Sequence, residues 1–491
     1  MPCTTILVGR KASADGSTMI ARNDDSPSGV FHVKKLIVVE PKDQPRKYKS
    51  VLTHVEIDLP DNPMRYTMFP NVDPKEGVWP AAGINSENVA MTATETITTN
   101  SRVLGADPMV ELQKAHGKNK EIPGGIGEEN LVLLVLPYVH SAKEGVLRLG
   151  MLHEKFGTNE SNGIGFSDSK DIWWFESVGG HHWMAKRVPE DHYVVMPNQL
   201  GIDSFDLEDA YGEKKDNLCD PDLKDFIARN HLDRNMDGKF NPRLAFGSSS
   251  DSDRIYNTPR AWFMLRTLNP RTYKWDGENA DFTPASSDLP WSLVPEQKIT
   301  VEDVKYLLSS HFQGTPYDCY DKHADPRTKD MYRPIGVNRT AFMGLAQIRD
   351  YVPKDIAAIQ WFAFGSNAFN TMVPFFPNTD KVPDYFSKTT MKVTTESFYW
   401  ASRLLGALTD SHFGTCGRWI ERYQDAVMAA VQEVVDSLDS IYLSKKNDKD
   451  SIAKANEKIA SIAKDKTYWA IDKVTYAASM GMKNAFAMSD K

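Results

Sequence analysis

Cys3-Thr4-Thr5-Ile6-Leu7-Val8 and, nine residues further on, Ser17-Thr18-Met19-Ile20-Ala21-Arg22-Asn23-Asp24-Asp25 are the stretches that decide the fold. Both are rich in β-branched and aliphatic residues, and Ala14-Asp15-Gly16 between them carries the Asp-Gly pair that closes hairpins. Paired antiparallel, the two strands bring Arg22 back beside Cys3. A guanidinium close to a thiol favours the thiolate, and a carboxylate can hold an ammonium group in place. Cys3 has a further property that no internal cysteine shares. If Met1 and Pro2 are removed, thiol and free α-amine sit on one residue. An α-amine titrates near pH ~8, so it can accept a proton at neutral pH where a lysine cannot. The thiol becomes a nucleophile once a base or a cation activates it. Taken alone, a cysteine in an N-terminal strand reads as a small buried residue; the arginine and acids after the turn argue for chemistry.

The run CTTILVGRKASADGSTMIARNDD, residues 3–25, resembles the N-terminus of the dipeptidase A family, bacterial cysteine-type peptidases among the N-terminal-nucleophile hydrolases. More distantly it is similar to penicillin V acylases and bile-salt hydrolases, which also begin with cysteine and carry Arg-x-x-Asp after a β-turn. Further blocks follow in family order: Tyr193-Val194-Val195-Met196-Pro197-Asn198-Gln199-Leu200, then Phe246-Gly247-Ser248 through Tyr256-Asn257-Thr258-Pro259-Arg260-Ala261-Trp262, then His311-Phe312-Gln313-Gly314-Thr315-Pro316-Tyr317-Asp318. The resemblance implies an α+β fold, a four-layer αββα sandwich with a more helical C-terminal part. It makes Cys3 the nucleophile and its own α-amine the general base. Arg22 then lies beside the thiol and Asp25 holds the amine, with Asp24 a rival for that role. Asn198 donates to the oxyanion, a contribution of about 3 kcal/mol in comparable sites. Arg260 supplies the later arginine, with Arg254 the alternative. Gly83-Ile84-Asn85 through Thr94-Glu95-Thr96 is similar to an acylase stretch whose matching position is an amide or tyrosine, so Glu95 departs from that pattern. Asn85 and Glu95 are expected to bind substrate, Glu95 by pairing with a dipeptide's free ammonium. The activity implied is hydrolysis of free dipeptides through a cysteinyl thioester. An N-acyl amidohydrolase and a non-catalytic, secernin-like protein are the alternatives, and the complete set of Cys3, Arg22, Asp25 and Asn198 argues against the latter.

The chain has 491 residues, 41% of them hydrophobic and 25% charged, enough for a large buried core, and carries a net charge of −8. An acidic chain without a basic run has no electrostatic footprint for nucleic acid. It lacks an apolar stretch of ~20 residues, and its first 25 residues lack a cationic start with an apolar run behind it. A soluble, cytoplasmic protein is expected, with small peptides as partners, no membrane or nucleic acid, and a homo-oligomer left open. The four cysteines, Cys3, Cys219, Cys319 and Cys416, include no Cys-x-x-Cys pair, so neither a metal cluster nor disulfide stapling is expected. No cofactor is called for.

Residues 1–2 are expected to be a propeptide, 3–275 the hydrolase core, and 276–491 a continuation of the fold with a helical end. Short strands are predicted at 36–40 and 89–92, and four closely spaced antiparallel ones at 163–166, 172–177, 182–187 and 193–197. Residues 41–80, rich in proline, read as a long loop or hairpin over the site, and 270–300 as a linker or long excursion. Ser141-Ala142-Lys143-Glu144 opens a helix that ends at Gly157, and Thr300 with Asp303 opens another. Ile420, Tyr423, Val427, Val431, Val434 and Leu438 mark one helix face, and 444–466 read as a lysine-rich, partly solvated helix. His181 and His182, adjacent on a predicted strand, should point to opposite faces. Asp233-Arg234-Asn235-Met236-Asp237-Gly238 opens like a calcium loop, but its twelfth position is Leu244, so a turn is expected. Intact-mass measurement of active protein is expected to show loss of both Met1 and Pro2; full activity with proline still ahead of the cysteine would overturn the N-terminal-nucleophile reading.

Overall fold

The computed structural model describes residues 3–92 and 95–482. The expected processing of Met1 and Pro2 lies outside them. The N-terminal hairpin forms as read: β1 (Thr4–Val8) pairs antiparallel with β2 (Thr18–Asp25), in register from Thr4 opposite Asn23 to Val8 opposite Met19. Asp15 organises the turn, its Oδ1 accepting from the Ser17 backbone N–H at 3.0 Å and the Ser13 hydroxyl at 2.7 Å. Gly16 sits at φ +84°, where a side chain would be strained.

The hairpin does not lie at an edge. Tyr193–Met196 pairs along β1 and Thr340–Ile348 along β2, with Ala358–Phe364 and Val373–Phe375 beyond, and Ser292–Leu293 at the opposite edge. Every residue of β1 and β2 is buried. The strands Thr340–Ile348 and Ala358–Phe364 have no counterpart in the sequence reading. Buried on both faces, they are nearly continuous apolar runs without the alternation that marks a half-exposed strand.

A second antiparallel sheet runs Asn217–Cys219, Trp183–Arg187, Ile172–Ser177, Asn162–Ser167, Ala90–Thr92, Ala82–Ile84, and Glu95–Thr96 also pairs with Asn162–Ser167. Of the four strands expected between 163 and 197, three join this sheet and the fourth, Tyr193–Met196, crosses to the first. Leu7, Ile20 and Val194 pack against Trp174, Ala90 and Met184 from the second sheet, forming one core. A second core joins Phe166, Trp173 and Phe175 to Leu131, Val146 and Leu149 of the helices Leu131–Val135 and Ala142–Phe156. The third joins Ile6, Ala21 and Phe362 to Trp262 and the C-terminal helices.

Local chemistry explains several boundaries. Ser141 caps Ala142–Phe156 by accepting from the Glu144 N–H at 3.2 Å, and Gly157 at φ +67° ends it. Thr300 and Asp303 form a reciprocal capping box at Val301–Leu308. The predicted face of Phe413–Leu443 is buried from Ile420 to Leu438. Residues 41–80 include a hairpin, one of the two forms expected, in which Lys47–Lys49 pairs with Glu56–Asp58, and the short strand Tyr66–Met68. The 270–300 segment is a long excursion rather than a linker, pinned by buried Trp275, Leu289 and Trp291. Two expectations need correction. The lysine-rich helix is interrupted by a turn at 444–450, with Lys445 at φ +55°, before Ser451–Met480. His181 and His182 precede the strand Trp183–Arg187, so alternation does not apply: both rings turn to one carboxylate, Asp107, at 3.1 and 2.7 Å. The 233–238 segment is a turn closed by the Asn235 N–H on Asp233 and the Lys239 N–H on Asp237. No helix among the described residues is long and apolar enough to cross a membrane.

Gly83 marks a close approach, since a Cβ there would run into the Thr67 carbonyl oxygen and the Leu136 side chain. Gly83→Ala is expected to destabilise by about 1–3 kcal/mol through overpacking, measured as a lowered thermal midpoint.

Candidate active site

Alternation along β1 turns Thr5 and Leu7 toward the second sheet, and Ile6 and Val8 away from it. Cys3, just before the strand, is fully buried. Across the register Arg22 lies opposite Thr5, and its Nη2 donates to Cys3 Sγ at 2.8 Å and to Glu128 Oε1 at 3.0 Å. The same nitrogen lies 3.6 Å from Asp24 Oδ1, while Lys34 Nζ is 2.9 Å from Asp24 Oδ2. Arg22 and Lys34 are both fully buried, so each charge depends on these partners. Two backbone carbonyls complete the cradle: Ala81 O accepts from Arg22 Nη1 at 3.3 Å and Trp79 O from Lys34 Nζ at 2.7 Å. Trp79 and Ala81 stand at φ +46° and +61°, left-handed conformations that cost a non-glycine residue on the order of 1 kcal/mol. The strain is stored where the two cations are held.

Burial pushes the Cys3 thiol up to about 12; Arg22 pulls against it, and Glu128 and Glu95 add to it. Burial also works against the Arg22 charge, but the neighbouring acidic groups Cys3, Glu128, Asp24 and Glu95 hold it above the ordinary arginine range. On the far side of β1, Arg260 of the helix Thr258–Leu268 bonds the Cys3 carbonyl oxygen and, at 2.6 Å, Thr4 Oγ1. Its Nη2 donates to Asn198 Oδ1 at 2.7 Å and to Asn257 Oδ1 at 2.8 Å. Asn198 Oδ1 also accepts from the Cys3 backbone nitrogen at 3.1 Å, and Asn198 Nδ2 donates to Thr96 O at 2.8 Å. Cys3, Arg22, Asn198 and Arg260 therefore come together. Arg254 does not join them: it is exposed and pairs with Asp251 at 3.6 Å.

The two consecutive acids part company. Asp24 shares the Cys3 side with Arg22, whereas Asp25 bonds Arg333 and, at 2.5 Å, Thr340 Oγ1. The Cys3 nitrogen is held by Asn198. Glu95 is fully buried, its Oε2 accepting from Thr5 Oγ1 at 2.8 Å, and its Oε1 has no hydrogen-bond partner among the described residues. Burial pushes its carboxyl well above the ordinary range, against the pull of Arg260 and Arg22. Asn85, expected to bind substrate, is a turn staple instead. Its Nδ2 donates to Leu136 O and Val139 O at 2.9 and 2.8 Å, and its Oδ1 accepts the Glu87 and Val89 N–H groups, both at 3.0 Å. That uses its full hydrogen-bonding capacity.

Sequence reading missed Glu128, Lys34 and Arg333. Glu128 meets Arg22 across 106 residues and Arg333 meets Asp25 across 308, so spacing carries no signal for either. Cys3, Asp24 and Glu128 offer ligand atoms within 4.8 Å of one another, a cluster that could suit a metal ion. Arg22 Nη2 reaches all three and supplies the positive charge they share. A cavity of about 960 Å³ is lined by residues such as Glu40, Arg65, Asp380 and Lys449 and includes no cysteine, serine or histidine, so its size does not point to the cysteine chemistry of the buried charge cluster.

Against this geometry, the family described as Peptidase family C69 matches residues 2–426. The chain belongs to peptidase family C69. It is 52% identical to a dipeptidase of Bifidobacterium longum (strain NCC 2705), with both chains fully covered. It is 50% identical to a probable dipeptidase A of Streptococcus pyogenes serotype M3, also with both fully covered. To dipeptidase A of Lactobacillus helveticus it is 43% identical over 95% of this chain and 94% of that one.

In this C69 peptidase the segment after Asn198 is anchored by Glu176, whose Oε1 accepts from Gly201 N at 2.6 Å and Trp174 Nε1 at 2.9 Å, while Arg243 Nη2 donates to Gly201 O at 2.5 Å. Burial pushes the Glu176 carboxyl up to about 7. The folded state thus keeps a proton that the unfolded chain gives up above its ordinary value of 4.5. Stability from this group is present below pH ~4.5 and lost as pH rises toward ~7, a change on the order of 3 kcal/mol. Glu176→Gln keeps the acceptor oxygen, so urea unfolding across that range is expected to show a flatter pH dependence than the native chain.

Proposed function

We propose that this C69 peptidase is a dipeptidase whose nucleophile is the Cys3 thiol and whose base is the Cys3 α-amine, freed by removal of Met1 and Pro2. The observation that carries the reading is the Arg22 guanidinium, 2.8 Å from Cys3 Sγ, together with Asn198 Oδ1 on the Cys3 nitrogen. Asn198 orients the amine toward its own sulfur, the amine takes the thiol proton, and Arg22 stabilises the thiolate. The thiolate attacks the peptide carbonyl carbon. The Asn198 side-chain amide and a backbone N–H stabilise the oxyanion. The α-ammonium protonates the leaving amine, and water then hydrolyses the thioester with the α-amine again as base. The thiol proton departs on the product amine, a proton from water reaches the released sulfur through the α-amine, and no cofactor enters these steps.

Arg260 fixes the Cys3 carbonyl and Asn198 together, and Asp25 acts at one remove, through Arg333 and Thr340. Glu95 receives the free ammonium of the substrate, which restores the charge that burial disfavours and supplies a partner for Oε1. The order of helices, sheet, sheet and helices agrees with an αββα N-terminal-nucleophile sandwich. The relatives named as dipeptidases, matched along their full length, favour free dipeptides as substrates.

A panel of free and N-acetylated dipeptides tests this on the processed enzyme. Free dipeptides are expected to turn over and their N-acetylated forms to be poor. Cys3→Ala is expected to lower kcat at least ~1,000-fold, and Glu95→Gln to raise KM for free dipeptides with kcat little changed. Equal turnover of N-acetylated substrates would favour an N-acyl amidohydrolase; an active Cys3→Ala variant would end the mechanism.

A further inference from the structure

Arg22 Nη2 serves more anions than one nitrogen can satisfy. Cys3 Sγ at 2.8 Å and Glu128 Oε1 at 3.0 Å are within hydrogen-bond distance, and Asp24 Oδ1 waits at 3.6 Å. Asp24 Oδ1 is buried and has no hydrogen-bond partner among the described residues, so it is poised to draw the guanidinium toward itself. A shift of under ~1 Å would complete that bond and lengthen the one to sulfur. What balances Asp24 is Lys34, fully buried, with Nζ 2.9 Å from Asp24 Oδ2 and anchored from behind by Trp79 O at 2.7 Å. A lysine buried this deeply is costly unless its charge is matched. Nothing in the proposed reaction uses it.

We propose that Lys34 is a positioning residue for the nucleophile: by neutralising Asp24 it leaves Arg22 on Cys3 Sγ, where the guanidinium stabilises the thiolate. The inference rests on Cys3 being the nucleophile and adds a requirement ten residues beyond the Asp24 that it restrains. Without Lys34, the buried Asp24 carboxylate takes Arg22 for itself, and the sulfur loses its cation. Among the described residues, the other titratable groups facing Asp24, Arg22 or Cys3 are His32, Glu95, Glu128, Glu160, Arg260, Arg339 and Tyr399. None of them forms a hydrogen bond or ion pair with Asp24, so none replaces Lys34.

The test reads the sulfur directly. In the processed full-length protein, alkylation of Cys3 by iodoacetamide is followed against pH by peptide mass. Lys34→Met is expected to slow alkylation at pH 7 at least ~10-fold and to raise its midpoint by about one pH unit, a tenfold loss of thiolate per unit. Adding Asp24→Asn removes the competing charge, and the double variant is expected to return to within ~3-fold of the native rate. An unmoved midpoint in Lys34→Met, or a double variant as slow as the single one, overturns the proposal. If Lys34→Met does not fold, the double variant decides: a native midpoint supports the role and a raised one refutes it. Because no substrate is present, an error in the substrate assignment leaves this result untouched. A failed Lys34 test likewise leaves the preference for free dipeptides standing.

Discussion

The site depends on one buried guanidinium. Arg22 lies between two sheets, cut off from solvent, and its terminal nitrogen is the shared cation for a thiol and two carboxylates. In water such a cluster would be worth little, but removed from solvent each pairing is strong and each unpaired member costly. The surrounding chain is arranged to keep the account neutral: Lys34 meets Asp24, and carbonyls of a strained turn at Trp79 and Ala81 each take one further donor. On the other face of β1, Arg260 ties the Cys3 carbonyl to Asn198, so Cys3 is gripped from both sides.

How much of this could be read beforehand follows from the range of each interaction. The hairpin was legible because its turn chemistry is local: Asp15 and Gly16 sit between the strands that they join. Helix ends at Ser141 and Thr300 were legible for the same reason. Asn198 and Arg260 were found only through a family likeness, since no spacing links them to Cys3. Glu128 and Arg333 were invisible, as their partners lie 106 and 308 residues away. Lys34 was overlooked for a different reason: in a sequence, a buried lysine looks like any surface one. The central strands Thr340–Ile348 and Ala358–Phe364 were missed because burial on both faces erases the alternation that betrays a strand.

Asn85 and the paired histidines carry the complementary lesson. Each is a residue type that invites a functional reading, and each is absorbed by structure. Asn85 closes a turn with four hydrogen bonds, and His181 and His182 clamp Asp107. A polar group that is buried and fully satisfied has nothing left to offer a ligand. Glu95, buried and half satisfied, does.

The place of β1 within its sheet also bears on when the enzyme can act. Its two neighbours along the sheet are β2 and Tyr193–Met196, and β2 in turn needs Thr340–Ile348. A ribosome has made these flanking strands only after most of the polypeptide has emerged. Until then Cys3 has neither the arginine from helix Thr258–Leu268 nor the asparagine behind Met196 to hold it. In the nascent fragment Cys3 therefore lacks its surroundings, which are complete only once the last long-range pairings of the sheet have formed.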